Sequence, residues 1–194
     1  MFTSRDLAYL ENEFRTLAEL CADRAETPAE VRALIVERRL PRPSYVLDDG
    51  TELFPPDYFA LIDAAGGADQ LRTDFEVRYR VACAAHGRGS GELENDWQAY
   101  LDGIYGICLR EVTPESIVEK AALIDAIERL LDEPRPADSE WRRALSVHVS
   151  ALDVLEREFA PDFDRDPARF GRPPSRDRLI AAARARFPSA FSGH

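Results

Sequence analysis

The sequence is poor in several residues on which whole classes of protein depend. Its 194 residues include one lysine, Lys120, and three cysteines, Cys21, Cys83 and Cys108, with neither CxxC pairing nor regular spacing. These cysteines form no zinc-binding pattern, and we interpret them as reduced thiols packed inside a cytoplasmic protein. No apolar run approaches about 18 residues and the N-terminus lacks the apolar segment of a signal peptide, so we expect no membrane span.

The motifs of nucleotide-dependent and metal-dependent enzymes are also missing. The sequence has no P-loop, GxGxxG, GxSxG or HExxH. Asp162, Asp164 and Asp166 alternate as at the start of a calcium-binding EF-hand loop. Pro167 and Pro173, however, stand where that loop needs glycine and glutamate. We therefore predict no metal and no cofactor, and we expect the aspartates to cap and turn a loop.

Basic residues are outnumbered by acidic ones. The chain has 25 lysines and arginines against 36 aspartates and glutamates, a formal net charge of −11. A surface that binds phosphates needs clustered lysine and arginine, so this balance counts against nucleic acid as the main partner and against anionic membranes. A small-molecule substrate or a partner protein of the same pathway is the expected partner.

The stretch from Gly91 to Leu131 organises the predicted fold. Read as a helix, its first half has two apolar stripes, Leu93, Trp97, Tyr100, Ile104 and Ile107 on one and Leu101, Tyr105, Cys108 and Val112 on the other. A helix that is apolar over most of its circumference must be covered on most sides, so we place it at the centre. Gly103 and Gly106 each cost about 1 kcal/mol relative to alanine, which predicts close approach by a neighbouring segment.

Helix-start signals recur along the rest of the chain. The pattern predicts a first helix from Ser4 to about Arg24. Thr27-Pro28 with Glu30 is a capping box with proline in the first helical position, and Thr113-Pro114 is a second start of this kind. Ser175 is predicted to begin a final helix.

One β-hairpin is predicted between the helices. Asp49-Gly50 favours a two-residue type I′ turn, which pairs Val46 with Leu53 and Tyr45 with Phe54. The expected fold is mainly α, a helical bundle around a central buried helix with one hairpin. We divide it into an N-terminal helical segment with the hairpin, 1–88, and a C-terminal helical bundle, 89–194, packed as one compact unit.

Residues 27–66 resemble the winged-helix part of mercury-resistance-type regulators. The similarity lies in a helix ending R-R-L-P-R-P, a hairpin, and then P-P-D-Y-F-A-L-I. The segment carries four arginines against seven acidic residues, which is a poor balance for contacts with phosphates. We interpret it as a packing element. DNA or protein binding by this segment is kept as an alternative.

Four polar residues are the candidates for chemistry. Arg110 and Glu111 end the apolar central helix, and Glu111 extends its first stripe, so an inward pair would bind a polar group or lock two helices together. His148 lies on the apolar face of a later helix and is either a general base or a core histidine with a satisfied ring. Tyr105 would donate a hydrogen bond.

Two further residues have weaker signals. Cys108 shares a stripe with Tyr105, and both would line a pocket or belong to the core. Lys120 lies at the edge of the apolar stripe of the next helix. A desolvated lysine would be a good nucleophile or base, but from that edge we expect its ammonium group to extend to the surface.

Three stretches together resemble a known family. They are Y-V-L-D-D-G-T-E-L-F-P-P-D-Y-F-A-L-I-D-A-A-G-G, Y-L-D-G-I-Y-G-I-C-L-R-E-V-T-P-E and F-G-R-P-P-S-R-D-R-L-I. The family is one of small actinobacterial proteins of unknown function, described as natural product biosynthesis proteins. The resemblance implies a cytoplasmic protein of secondary metabolism and supplies no catalytic residues.

The functional hypothesis combines the resemblance with the four polar residues. We expect a small-molecule-handling protein, and, if it is an enzyme, cofactor-free acid–base chemistry such as cyclisation, isomerisation or elimination. Glu111 or His148 would move the proton, Arg110 would hold an anionic group and Tyr105 would donate a hydrogen bond. The alternative is a non-catalytic interaction or regulatory module built on the winged-helix-like segment or on a self-pairing helix face.

Overall fold

The computed structural model describes residues 1–166, 168 and 173–192. It confirms a mainly α fold with one hairpin. Pro167 and, from the third of the quoted stretches, Phe170, Gly171 and Arg172 lie outside the described residues. The helices are α1 (Ser4–Glu13), α2 (Leu17–Leu20), α3 (Pro28–Val36), α4 (Ala60–Ala64), α5 (Leu71–Ala85), α6 (Leu93–Leu101), α7 (Ile104–Cys108), α8 (Pro114–Asp132), α9 (Ser139–Leu155) and α10 (Ala182–Arg186). A π-helical segment (Arg176–Ala181) leads into α10, a 3-10 turn (Pro188–Ala190) follows it, and the strands are β1 (Tyr45–Val46) and β2 (Glu52–Leu53).

The first predicted helix is divided in two. α1 ends at Glu13, because the backbone of Arg15 pairs with that of Phe54 through two hydrogen bonds of 2.9 and 2.8 Å. A new helix, α2, then starts with a capping box between Thr16 and Glu19. The prediction of one helix to Arg24 is wrong because this contact with the strand region is made by residues far apart in the sequence.

The hairpin is present, but its register differs from the prediction by one residue. Tyr45 pairs with Leu53 and Val46 with Glu52. Gly50 has φ +85° and donates its N–H to the carbonyl of Leu47 at 2.9 Å. A type I′ turn would need a positive φ at Asp49 as well, whereas of these two residues only the glycine adopts one. The N–H of Leu47 donates to the carbonyl of Thr51 at 2.9 Å, so the loop between them has three residues, 48–50.

The predicted central helix is also interrupted. α6 ends at Leu101, whose carbonyl accepts a hydrogen bond of 2.8 Å from the N–H of Arg42, and Gly103 turns the chain with φ +76°. A Cβ at Gly103 would lie 2.5 Å from the carbonyl oxygen of Arg42. At Gly106 a Cβ would collide with the hydroxyl of Ser44. The close approach predicted from the two glycines is confirmed, and it is what divides the helix.

α7 ends at Cys108, and an extended link leads from it to α8. Leu109 forms a β-bridge with Glu156, the residue after α9, and the N–H of Arg157 donates to the carbonyl of Cys108 at 3.0 Å. The link ends at Thr113, which caps α8 with Pro114 in the first helical position, as predicted. The bridge therefore brings the ends of α7 and α9 together.

Two large apolar cores meet at α8. The first is built from α2 to α7 with Ile117 and Val118 of α8, so it draws on both predicted segments, 1–88 and 89–194. The second joins the later half of α8 to α9, the π-helical segment and α10, around Ile127 and Leu152. The middle of α8, between these cores, faces the site described next.

Candidate functional site

A cavity of about 290 Å³ lies between α7, α8 and the segment from Pro173 to Arg178; we call it the Lys120 cavity. Its apolar wall consists of Ile104, Ile107, Ile124, Phe159, Pro173 and Pro174. Its polar lining consists of Cys108, Lys120, Asp164, Ser175 and Arg178. Apolar walls with a few converging polar groups are typical of small-molecule sites.

Lys120 does not extend to the surface, so that prediction is wrong. Its side chain is 13% exposed, and its Nζ lies 2.9 Å from Oε1 of Glu156, whose side chain is fully buried. Burial alone would lower the pKa of Lys120, but Cys108 and Glu156 outweigh burial and raise that pKa above its ordinary value. Lys120 is therefore a fixed ammonium group, the opposite of the neutral amine that a lysine nucleophile requires.

Sequence reasoning missed Glu156. This residue follows α9 directly, in extended conformation, and its Oε1 also accepts a hydrogen bond from the hydroxyl of Ser175. Its Oε2 is buried and has no hydrogen-bond partner among the described residues. A signal was available, because Glu156 continues the apolar spacing of Val149 and Leu152 and so faces the same side.

Asp164 is a second buried carboxylate at the cavity. Its Oδ2 accepts hydrogen bonds from the hydroxyl of Tyr45 at 2.6 Å and from the N–H of Ala160 at 2.7 Å. Its Oδ1 is buried, and no described residue donates to it. Burial raises the pKa of Asp164, and the hydrogen bonds from Tyr45 and Ala160 oppose that rise. The residue is 4% exposed.

The backbone is strained at the cavity wall. Phe159 has φ +66°, a left-handed conformation that bulky side chains rarely adopt. Its ring centroid lies 6.0 Å from the Nζ of Lys120. Such strain costs about 1–3 kcal/mol and is concentrated at functional sites. Phe159 therefore lines the cavity in a strained backbone conformation, which Arg38, outside the cavity, shares with φ +56°.

Arg178 and Cys108 complete the polar lining. Arg178 forms an ion pair with Glu128 of α8, while its Nε is buried without a partner among the described residues. The thiol of Cys108 lies 3.7 Å from the carbonyl of Tyr105. Of the two predicted alternatives for Cys108, a pocket wall or the core, the first holds, because Cys108 lines the cavity.

Arg110 and Glu111 are exposed, so the predicted inward placement is wrong. The helix ends at Cys108, and the extended link that follows does not continue the apolar stripe to Glu111. Arg110 lies 3.9 Å from the carboxylate of Glu158. Arg110 and Glu111 line an open groove between α8 and α9. Their catalytic roles stay predictions.

Tyr105 and His148 lie apart from that groove and from the Lys120 cavity. The hydroxyl groups of Tyr105 and Tyr79 donate to the two oxygens of one carboxylate, that of Asp96. Burial and then Asp96 raise the pKa of Tyr105. His148 is half-buried on α9. The four predicted residues therefore do not converge on one cavity, and the catalytic roles of these two also stay predictions.

The arginines of the winged-helix-like segment are neutralised within the chain. Arg32 pairs with Glu52, Arg38 and Arg42 pair with Asp102, and Arg39 pairs with Asp69 and Glu37. These contacts are consistent with a packing role. DNA or protein binding by residues 27–66 stays a prediction.

The alternating aspartates serve the loop before Pro167. Asp164 accepts from the N–H of Ala160, and Asp166 accepts from that of Ala168 at 2.9 Å, so these two turn the chain as predicted. The carboxylate of Asp162 instead accepts from the hydroxyl of Thr3 and pairs with Arg5. In residues 1–166, 168 and 173–192, no group of three or more metal-binding side chains could hold an ion. Over the same residues, no helix has both the length and the apolar character needed to cross a membrane.

Comparison with known proteins gives a family without an assigned activity. No curated protein and no solved structure matches the sequence. A family model matches residues 71–188, a range that contains every residue lining the Lys120 cavity. Because this match covers more than half of the chain, the protein belongs to a family of unknown function, DUF6058.

Proposed function

We propose that the protein binds a small molecule in the Lys120 cavity. The observation that carries the proposal is the lining of the cavity, in which isoleucines, prolines and Phe159 surround the side chains of Lys120, Asp164, Ser175 and Arg178.

The size and lining of the cavity support a small ligand. Ligand sites usually measure about 300–1,000 Å³, and this one, at about 290 Å³, is just below that range. The isoleucines and Phe159 would cover the apolar body of such a molecule, while Asp164, Ser175 and Arg178 would fix its orientation. The resemblance to natural product biosynthesis proteins supports a role in secondary metabolism.

If the protein is an enzyme, its chemistry is proton transfer without a cofactor, as in a cyclisation, isomerisation or elimination. Asp164 suits the role of proton carrier, because burial raises its pKa above that of an exposed aspartate. The ammonium of Lys120 would stabilise negative charge developing on an oxygen of the substrate. Glu111 and His148 are the alternative proton carriers, and replacing either by Gln would then lower turnover about a hundredfold.

A fragment screen with matched variants tests the binding site. Ile104 is 50% exposed and lines the cavity, so tryptophan at this position fills the cavity from its rim. Val147 on α9 is 53% exposed and lies outside the cavity lining, which makes Val147→Trp the control. We expect fragments that bind the wild type and the control, observed by NMR, to lose binding to Ile104→Trp. Equal binding to all three proteins would disprove the proposal.

A further inference from the structure

The open groove between α8 and α9 shares no lining residue with the Lys120 cavity. On the side of α9 it is lined by the apolar residues Ala151, Val154 and Leu155. Val154 is 75% exposed, although α9 already buries another apolar face in the second core. The valine therefore belongs to a second apolar face of α9, and this face is open to solvent.

The second apolar face has the spacing of a coiled-coil seam; we call it the α9 stripe. Its members follow one another at steps of three, four and three residues, and they are Ala144, Val147, Ala151 and Val154. Val147, like Val154, is more than half exposed. Single exposed apolar residues are common on protein surfaces, but an aligned row beside a groove is typical of a binding face. At about 1.5 Å per residue the stripe is about 15 Å long, which suits a second helix lying along α9.

The opposite side of the groove is acidic. Glu111, Glu115 and Glu119 line it at intervals of four residues, and Arg110 is the basic residue of the lining, so carboxylates exceed cations by two. Glu115 forms an ion pair with Arg78 at 2.7 Å, and the guanidinium of Arg110 already has another carboxylate 3.9 Å away. Among the described residues, Glu111 and Glu119 form no ion pair. Two carboxylates beside the α9 stripe therefore lack a counter-charge.

We propose that this groove binds a basic amphipathic helix of a partner protein. The apolar residues of that helix pack along the α9 stripe, and its lysines or arginines face Glu111 and Glu119. Such a helix covers the exposed valines and supplies the missing positive charge at the same time. Complementary charge also speeds the encounter and fixes the orientation in which the helix binds.

A second copy of this chain suits the groove less well than a basic helix. A twofold dimer brings the same surface of both copies together, so the glutamates of each groove would approach those of the other. The formal net charge of −11 adds to this repulsion. The charge of the groove therefore favours a partner of opposite sign.

Three helical peptides of about 16 residues, long enough to follow the stripe, test the proposal on the full wild-type chain. The first has leucines at alternating steps of three and four and lysines on the flanks. The second has glutamate in place of every lysine, and the third has the composition of the first in scrambled order. By NMR or calorimetry at physiological salt, we expect the first peptide to bind about tenfold or more tightly than either of the others. Equal binding of the scrambled peptide, tighter binding of the glutamate peptide, or no binding of the first at millimolar concentration would overturn the proposal.

Two valines locate the apolar contact. Val154→Gln removes apolar surface from the stripe, and Val81→Gln makes the same change on α5, at a valine that is 66% exposed and outside the groove lining. We expect Val154→Gln to weaken binding of the lysine peptide about fivefold or more and Val81→Gln to leave it unchanged. Equal binding to both variants would place the peptide on another surface.

Two glutamates locate the charged contact. Glu119→Lys reverses one charge of the groove, and Glu133→Lys reverses one at the exposed residue that follows α8, outside the groove lining. Both variants have the same net charge, so a general attraction between an acidic protein and a basic peptide affects them equally. We expect only Glu119→Lys to weaken binding about fivefold or more, and equal losses would overturn the proposal.

Two further measurements separate this inference from other occupants and from the proposed function. Analytical ultracentrifugation of the wild type should show a monomer, whereas a dimer that Val154→Gln dissociates would show that a second copy covers the stripe and would overturn the inference. Ile104→Trp fills the Lys120 cavity and leaves the groove intact, so it should bind the lysine peptide as the wild type does. Loss of peptide binding in Ile104→Trp would place the peptide at the Lys120 cavity and overturn the inference, while the small-molecule site would be judged by its own fragments.

Discussion

The ammonium of Lys120 lies 2.9 Å from Oε1 of Glu156, and water reaches little of the lysine and none of the carboxylate. Glu156 also accepts from Ser175, so one carboxylate joins α8, the end of α9 and the chain that leads to α10. Removing two charges from water is costly, and their attraction offsets that cost only with good geometry. The pair therefore fixes how three segments meet around the cavity.

Replacing one member of this ion pair should lower the free energy of unfolding more than replacing both. Lys120→Met leaves Glu156 buried without a counter-charge, and we expect the free energy of unfolding to fall by about 3–5 kcal/mol. Glu156→Gln leaves the ammonium uncompensated, but the double variant leaves no charge at all. Urea unfolding of the four proteins should show a double-variant loss well below the sum of the single losses. Additive losses would mean that the two groups do not interact.

The pH dependence of stability should show that folding raises the pKa of Asp164. Burial raises the pKa of this group above its ordinary value of 3.8, so the folded protein holds the proton more tightly than the unfolded chain does. The stabilisation that this protonation gives the fold is complete below the pKa that Asp164 has in the unfolded chain. It is lost as the pH rises through the pKa that Asp164 has in the folded protein. Asparagine does not titrate, so Asp164→Asn should gain stability relative to the wild type as the pH rises through this window.

The measurement is urea unfolding of both proteins at a series of pH values. Asp57, whose pKa burial also raises, is present in both proteins, so its contribution cancels in the difference. A difference that is constant with pH would mean that Asp164 has the same pKa in the folded and unfolded states.

Local chemistry explains the parts of the fold that the sequence predicted. A capping box or a threonine–proline pair stabilises a helix start through contacts within three residues, and Thr27 and Thr113 both behave as expected. The positions of Gly103 and Gly106 in an apolar helical pattern could likewise be interpreted from the sequence. Glycine destabilises a helix, so we expect it there only where a neighbouring segment needs the space.

Contacts between distant residues explain the parts that were predicted wrongly. The Arg15–Phe54 bridge ends α1, and the Leu109–Glu156 bridge ends α7 and turns Glu111 outward. Neither bridge has a local pattern. The local sequence predicts Lys120 at the surface because its partner lies 36 positions later, at the end of another helix. The site could therefore be found only once α7, α8 and α9 were placed together.

Arg157 should tolerate replacement by lysine poorly. It is 4% exposed, and its guanidinium donates to the carbonyls of Leu109 at 2.8 Å and Arg110 at 3.1 Å. Glu13 and Asp57 each lie 3.4 Å from it. A lysine lacks the planar guanidinium that donates to these acceptors together. We therefore expect Arg157→Lys to lower the free energy of unfolding in urea by about 2–3 kcal/mol.

Arg135 provides the matched control for this substitution. It is 67% exposed with one carboxylate at 3.5 Å, so Arg135→Lys should change the free energy of unfolding by less than about 0.5 kcal/mol. Similar losses in the two variants would show that the bonds of Arg157 to the α7–α8 link contribute little.

Alanine at Gly103 and alanine at Gly89 should change stability in opposite directions. Gly103 has φ +76°, and a Cβ there would lie 2.5 and 2.8 Å from the carbonyl oxygens of Arg42 and Pro43, which are backbone atoms and cannot rotate away. We expect Gly103→Ala to cost at least about 2 kcal/mol, from the left-handed conformation and the collision together. Gly89 has no positive φ and nothing within 4 Å of a Cβ, so Gly89→Ala should stabilise the protein by about 0.4–1 kcal/mol through the unfolded state. Urea unfolding of both variants checks the signs, and a neutral Gly103→Ala would show that the turn between α6 and α7 can move away from the Arg42–Pro43 backbone.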